Sequence, residues 1–210
     1  MSVITVKHLG LQDYLQTYQA MQAFSAQRLP DTTDEIWLVE HPPVFTQGLN
    51  GQAEHIHQSL RDIPLVHTDR GGQITYHGPG QLVIYVLIDL RRRKLGVRQL
   101  VSLLEQSVID LLADYQLSAQ ARADAPGIYL EGKKIASLGL KIKRQTSYHG
   151  LALNINMDLT PFEWITPCGL QAMQMTQLAD YLPDATVADI QPDLVRHFRQ
   201  QLENSPIMTD

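Results

Sequence analysis

The sequence predicts an α+β fold in which a mixed β-sheet is flanked by helices. Gln81–Leu90 (QLVIYVLIDL) is an almost continuous apolar run, as expected of a central strand covered on both faces. Apolar residues recur at helical spacing from about Val97 to Tyr115 and predict a long amphipathic helix. The tight turn Glu131-Gly132 predicts a strand pair, Gly127–Leu130 and Lys133–Lys143. Strands in the middle of the chain with helices around them indicate this fold class.

The other elements follow from local patterns. Helical spacing of apolar residues predicts a helix over about 11–28, and a short buried strand, Ile36–Val39, is stopped by the prolines that follow it. A second short strand is expected at Leu65–Thr68. Alternation of apolar and polar residues over 151–157 predicts another strand, and Thr186 is expected to cap a final helix.

Length and charge limit the class of protein. The 210 residues are expected to form a single domain, 1–210, since single domains commonly reach about 200 residues. The formal net charge of −5 argues against nucleic-acid binding, because phosphate backbones favour a basic surface. No segment approaches the roughly 18 apolar residues of a membrane span, and residues 1–10 hold no signal-peptide run. With one cysteine and no internal disulfide, a cytoplasmic protein is expected.

Cys168, the single cysteine, lies in Thr166–Leu170 (TPCGL). Most lone cysteines are small buried apolar side chains. Here a proline precedes the sulfur and a glycine follows it, a setting that suits a nucleophile presented on a loop. Both a structural thiol and a catalytic thiol fit the sequence.

A thiol nucleophile needs a proton acceptor, and histidine and lysine are the available types. Alternation along Lys133–Lys143 places Lys134 on the apolar face with Ala136 and Leu138, and leaves the other three lysines of the strand toward water. Burial disfavours the charged form of a lysine, which suits proton transfer. The alternative is a lysine at a strand end whose head group reaches water.

Four glycines, an arginine and a histidine lie within Arg70–Gln81 (RGGQITYHGPGQ). Their order matches neither a P-loop nor the dinucleotide-binding fingerprint. Such a segment lets backbone N–H groups face a ligand, and it equally suits a tight turn between two strands.

The histidines do not indicate a metal site, and the basic run has two interpretations. His55 and His57 lie in a polar stretch, and no third possible metal ligand follows at a spacing typical of metal sites. His149, which comes before a strand, either lines a pocket or is structural.

The basic run Arg91–Lys94 is either a solvated loop or a docking site for an acidic partner.

Four segments occur together in an order typical of one enzyme family. They are Arg70–Gln81, Lys134–Leu140 (KIASLGL), His149–Asn154 (HGLALN) and Thr166–Leu170, with Glu40–Thr46 (EHPPVFT) upstream. Together they resemble the lipoyl(octanoyl) transferase family, whose members move an octanoyl group from acyl carrier protein to lipoyl domains. The resemblance covers about 35–170. It implies the fold of lipoate and biotin protein ligases, a mixed sheet flanked by helices.

The resemblance also implies roles at the matching positions. Cys168 matches the cysteine that holds the acyl group as a thioester, and Lys134 matches the catalytic lysine. The substrate-binding positions that it implies are Arg70, Gly71, Gly72, Gln73, Ile74, Thr75, Tyr76, His77, Ser137, Leu138, Gly139, His149, Gly150, Leu151 and Ala152.

The family further implies an acyltransferase that needs no cofactor, neither ATP nor metal. The acyl group arrives already activated as a thioester on the phosphopantetheine arm of the carrier. The expected donor is octanoyl-acyl carrier protein. The expected acceptors are the apo lipoyl domains of 2-oxoacid dehydrogenase E2 subunits and the H protein of glycine cleavage, and neither a nucleic acid nor a membrane is expected as a partner.

Three other functions remain open at this point. An ATP-dependent lipoate or biotin ligase would share the fold but would form product only with ATP. A non-catalytic acyl-binding module would use Cys168 and Lys134 only as pocket lining. A cysteine hydrolase would take His77 or His149 as its base and release free acid.

Overall fold

The structure is a computed structural model that describes residues 4–166 and 173–205. In chain order its longer elements are β1 (Ile4–Leu11), α1 (Tyr14–Gln27), β2 (Asp34–Glu40), β3 (Val44–Gln47), β4 (Leu65–His67), β5 (Ile74–His77), β6 (Gln81–Leu87), α2 (Leu90–Arg93), α3 (Val97–Asp114), β7 (Ala119–Ala121), β8 (Ile128–Leu130), β9 (Lys133–Lys143), β10 (Thr146–Asn154) and α4 (Val187–Asn204).

The described residues form two sheets. The main, seven-stranded sheet has the order β1-β2-β6-β10-β9-β8-β7, and the smaller, three-stranded sheet has the order β4-β3-β5. In the main sheet β1 and β2 are parallel and the other neighbours are antiparallel. The predicted α+β class with a mixed sheet is therefore confirmed.

Both faces of the main sheet are covered, which explains the apolar run of its central strand. Along β6, alternate residues beginning at Leu82 pack with α3 and α4, and those beginning at Val83 pack with α1. A strand buried on both faces needs apolar side chains at every position, and β6 has them except at its first residue, Gln81. Among the helices of the described ranges, none has the length and apolar content that crossing a bilayer requires.

Several elements differ from the predictions for physical reasons. The sequence pattern does not predict β1, an edge strand whose residues show mixed exposure. The strand expected over 151–157 is β10, which begins earlier and ends at Asn154. The amides of Ile155 and Asn156 both donate to the carbonyl of Gly80, which turns the chain away from the sheet. The predicted strand through Leu90 ends at Leu87 because the side chain of Asp89 caps α2.

The buried carboxylate of Asp34 accounts for part of the basic run. Arg92 donates to Asp34 Oδ1 at 2.7 Å, Arg93 donates to Oδ2 at 2.6 Å, and Arg28 from the end of α1 donates to Oδ1 as well. Arg92 also donates to two backbone carbonyls of the loop before β2. The run thus forms most of α2 and its C-terminal cap, Lys94, and two of its arginines bind Asp34. Because Arg91, Arg92 and Lys94 are exposed, a docking role for the run stays a prediction.

Candidate active site

A cleft opens on the α1 side of the main sheet, between the segment 70–77 and strands β6, β10 and β9. It encloses about 580 Å³, counting the part that is open to solvent. With Lys134, the predicted positions that line it are Arg70, Gly72, Gln73, Ile74, Thr75, His77, Ser137, Leu138, Gly139, His149, Gly150, Leu151 and Ala152. Gly71 and Tyr76 do not line it. The side chain of Tyr76 packs instead in the core of the smaller sheet. Tyr14, Val83 and Tyr85 line it without having been predicted.

Arg70 holds the glycine-rich segment over the cleft. Its guanidinium donates to the carbonyls of Thr46 at 2.7 Å, Gln73 at 2.8 Å and Gly71 at 3.0 Å. The amide of Gly71 donates to the carbonyl of Leu140 at 2.9 Å and so attaches the segment to β9. The tight turn between two strands is confirmed, since residues 78–80 join β5 to β6 and the amide of Gln81 donates to the carbonyl of Gly78. The contact of this segment with a ligand stays a prediction.

A chain of buried side-chain hydrogen bonds connects this segment with the far side of the cleft. His77 Nδ1 donates to Gln81 Oε1 at 2.6 Å, and Gln81 Nε2 donates to Asn154 Oδ1 at 2.9 Å. Asn154 Nδ2 then donates to the carbonyl of Thr176 at 3.0 Å. At the other end, Thr46 Oγ1 accepts from Arg70 and lies 3.3 Å from His77 Nε2. All these side chains are buried.

His77 and His41 are neutral, and both ring nitrogens of each have polar partners. Burial lowers the pKa of His77 to about 3, and both of its ring nitrogens have partners. Burial also lowers the pKa of His41 to about 4; its Nδ1 donates to the carbonyl of Gln12, and its Nε2 accepts from the hydroxyl of Tyr85. His77 is therefore a poor base for a hydrolase, because accepting a proton would break a bond that it already makes.

Lys134 is completely buried at the start of β9, whereas Lys133 beside it is exposed. Its Nζ donates to the carbonyl of Pro126 at 2.8 Å and lies 5.7 Å from the centre of the Tyr129 ring. Gly127 makes this position possible, because a Cβ there would lie 2.3 Å from Cε of Lys134.

The predicted burial of Lys134 is confirmed, but the alternation argument for it is wrong. Ile128 pairs with Ala136 and Tyr129 pairs with Lys134, so Ile135 is an extra residue in β9, a β-bulge. Ile135 and Ala136 both pack in the core under α3 and α4. Lys134 therefore does not share a face with Ala136 and lines the cleft instead.

The backbone of Lys134 pairs with the chain just beyond the predicted nucleophile. Its amide donates to the carbonyl of Gln174 at 2.8 Å, and its carbonyl accepts from the amide of Thr176 at 2.9 Å. On the N-terminal side of Cys168, the amide of Thr166 donates to the carbonyl of His55 at 2.8 Å. Cys168 itself lies outside the described residues.

Asp69 is a site residue that the sequence pattern did not reveal. It accepts hydrogen bonds from the hydroxyls of Tyr18 and Tyr148, and His149 Nε2 lies 3.3 Å from its Oδ1. Burial acts to raise the pKa of Asp69, but the hydrogen bonds from His149, Tyr148 and Tyr18 outweigh it and hold the pKa well below its usual range. Burial lowers the pKa of His149. A carboxylate beside a neutral imidazole results.

The pair His55 and His57 lies away from this cleft. His57 Nε2 contacts the hydroxyl of Thr166, and His55 Nδ1 accepts from the amide of Gln52. Within 4–166 and 173–205, no three side chains of His, Cys, Asp or Glu come together as a metal site would require.

Comparisons with known proteins identify relatives of this chain. Residues 13–199 match the family model of the lipoyl protein ligase A/B catalytic domain. An octanoyltransferase of Hydrogenovibrio crunogenus is 56% identical over 202 residues, which cover 95% of this chain and 97% of the relative. An octanoyltransferase of Chromobacterium violaceum is 54% identical over 200 residues, covering 95% and 96%.

Solved structures of ligases share the fold. A lipoate-protein ligase A bound with ATP superposes with a TM-score of 0.78 at 15% identity, covering 98% of this chain and 89% of the ligase. A biotin protein ligase from Aquifex aeolicus in complex with biotin and ATP superposes with a TM-score of 0.61 at 12% identity, covering 97% and 71%. The fold implied by the sequence motifs is therefore confirmed.

The neutral buried histidines predict that the protein loses stability below neutral pH. The pKa values of His41 and His77 are about 4 and about 3 when folded, against 6.5 for an ordinary histidine, so the unfolded chain binds protons more readily. The stabilisation is complete above pH 6.5 and is lost as the pH falls; each histidine should lower the free energy of unfolding by about 2 kcal/mol at pH 5. Urea unfolding at pH 7 and pH 5 measures this loss, and His77→Gln should reduce it. Equal stabilities at the two pH values would contradict the burial argument.

Proposed function

The chain belongs to the octanoyltransferases of the lipoyl protein ligase A/B catalytic-domain family, and from this premise we propose that it passes an octanoyl group from acyl carrier protein through Cys168 to a lysine of lipoyl domains. The chain is thus an acyltransferase, of the class that acts in protein lipoylation. The acceptors that we propose are lipoyl-domain proteins, including E2 subunits of 2-oxoacid dehydrogenases and the H protein of glycine cleavage.

The observation that carries the proposal is the position of Lys134 at one end of the cleft. Its side chain lines the cleft, and its backbone pairs with Gln174 and Thr176, shortly after Cys168 in the chain. The cleft offers an acyl chain apolar walls, among them Ile74, Val83 and Ala152. A proton acceptor next to an apolar cleft is what acyl transfer through a thiol requires.

Two acyl transfers complete the proposed reaction. The thiol of Cys168 attacks the thioester of the donor, and Lys134 accepts the thiol proton and returns it to the departing pantetheine sulfur. The amine of the acceptor lysine then attacks the new thioester. Lys134 takes the proton that this amine loses and gives it to the sulfur of Cys168, so the enzyme returns to its starting state.

ATP and metal have no step in this reaction, because the donor thioester is already activated. An ATP-dependent ligase of the same fold would first have to make an adenylate from a free acid. Formation of octanoylated acceptor from octanoyl-acyl carrier protein, with ATP and divalent metal removed, supports the transferase. A strict need for ATP would favour the ligase.

Cys168→Ala should abolish transfer because the variant has no atom to carry the acyl group. After incubation with octanoyl-acyl carrier protein, the mass of the intact wild-type chain should rise by one octanoyl group, which hydroxylamine releases, while the variant gains none. A circular dichroism spectrum equal to that of the wild type controls for folding. Transfer by the variant at nearly the wild-type rate would contradict the thioester route, and so would an acyl adduct at another residue.

Lys134→Ala should reduce the rate of transfer by roughly 10² to 10⁴, as expected for the loss of a general acid and base. Lys133→Ala is the matched control, since it removes the neighbouring lysine, which is exposed to solvent. Single-turnover acylation of Cys168 measures both variants. Equal losses in the two variants would show that the burial of Lys134 is irrelevant to the chemistry.

A further inference from the structure

His149 faces the cleft against the alternation of its own strand. Its neighbours Leu151 and Leu153 pack in the core under α3 and α4. The ring of His149 instead stacks on Tyr18 of α1, with ring centres 5.2 Å apart, and lies 5.2 Å from the ring of Tyr148. A φ of +60° turns it to this side, in the left-handed region that residues other than glycine rarely adopt. Strain of this kind is kept where a side chain has to point in one direction.

His149 lines the cleft, and one of its ring nitrogens makes no hydrogen bond among the described residues. Nε2 lies beside the Asp69 carboxylate, which can only accept, so Nε2 carries the proton of the neutral ring and Nδ1 is an acceptor. Nδ1 is buried and has no hydrogen-bond partner among the described residues. His149 as a whole is 1% exposed and lines the cleft.

The floor of the cleft ends beside His149. On paired strands β9 and β10, Ser137 lies opposite Ala152 and Gly139 lies opposite Gly150, so the sheet carries only small side chains there. The next pair on this side is Lys141 with Tyr148, two large side chains that end the groove.

Lys134 and His149 mark opposite ends of this groove. Leu140, the strand partner of His149, follows Lys134 by six positions, one of them the bulge residue Ile135. At the usual rise of a strand the two ends lie on the order of 17 Å apart. The side chain of Lys134 occupies part of this length. The remaining length matches that of a medium-length acyl chain.

We infer that His149 forms the polar end wall of the acyl cleft and sets the longest acyl chain that the enzyme accepts. The inference rests on the proposed function, because it takes the reacting thioester to lie at the Lys134 end. A chain that ends short of His149 leaves space for a water molecule that donates to Nδ1. A longer chain presses its terminal methyl group against a buried acceptor, which then has no donor, and is rejected.

The test compares chain-length preference in the wild type and in His149→Gly. Glycine adopts the left-handed φ without strain, so the backbone is retained while the wall is removed. Rates of acyl-enzyme formation are measured with pantetheine thioesters from hexanoyl to tetradecanoyl. The ratio of dodecanoyl to octanoyl rates should rise by about tenfold or more in the variant. This is the effect expected when the additional methylene groups of the longer chain can bind in an apolar pocket. An unchanged ratio overturns the inference.

A second variant keeps the polar wall. Asparagine also tolerates the left-handed region, so His149→Asn preserves the backbone and a hydrogen-bonding group on a shorter side chain. Its ratio should lie between those of the wild type and the glycine variant. If His149→Gly does not fold, a ratio in His149→Asn equal to that of the wild type overturns the inference.

Two further measurements test which end of the cleft holds the acyl tail. One is the binding of free fatty acids, which involves no reaction, and the other uses a donor with a shortened pantetheine arm. Thermal stabilisation by free octanoic and dodecanoic acids repeats the chain-length comparison without a reaction, so it remains informative even if the Cys168 thioester route fails. Thioesters of N-acetylcysteamine, which lack most of the pantetheine arm, test the direction of the cleft. If His149→Gly weakens only the full pantetheine donors, at every chain length alike, then the far end holds the arm of the donor and the inference is wrong.

Discussion

The site depends on a buried chain of hydrogen bonds that crosses from one sheet to the other. Its members are side chains and backbone groups with almost no access to water, and they come from four separate parts of the sequence. In order they are Arg70, Thr46, His77, Gln81, Asn154 and Thr176. Each member forms a hydrogen bond or close polar contact with the next. Because a buried polar group that loses its partner costs about 1–3 kcal/mol, the chain favours one arrangement of the two sheets.

This arrangement produces the cleft and the position of its lysine together. At one end Arg70 holds the glycine-rich segment over the strands that form the floor. At the other end Asn154 binds the carbonyl of Thr176, whose amide binds the backbone of Lys134. The bulge at Ile135 then directs the Lys134 side chain into the cleft. The roof of the cleft and the proposed proton acceptor are thus parts of one connected structure, which suits a site that must be organised before substrate enters.

Local patterns in the sequence predicted the parts of the fold that depend on local physics. The apolar run of β6, the stripe of α3 and the Glu131-Gly132 turn each reflect periodicity or turn chemistry. Each element occurs where it was expected, although β6 ends three residues early. The edge strand β1 has only weak alternation and was not predicted.

What the sequence did not reveal depends on contacts between distant residues. The bulge at Ile135 has no local signal, so the burial of Lys134 was predicted correctly from an alternation that does not hold. Asp69 meets His149 across 80 positions of sequence and through a left-handed φ that a histidine seldom adopts. The residue pattern left His149 as either a pocket residue or a structural one, and the family motifs favoured the pocket.

The most direct test of this account is the single-turnover rate of Cys168 acylation by octanoyl-pantetheine in Asn154→Leu. The substitution interrupts the buried chain without touching the cleft residues, and Ser107→Ala is the control, since Ser107 makes a buried hydrogen bond to Leu103 on the far side of the sheet. Asn154→Leu should lose about tenfold or more in rate, because it leaves a buried partner unsatisfied at a cost of about 1–3 kcal/mol, and the control should keep the wild-type rate. A folded Asn154→Leu that is acylated at the wild-type rate would contradict the claim that this chain positions the site.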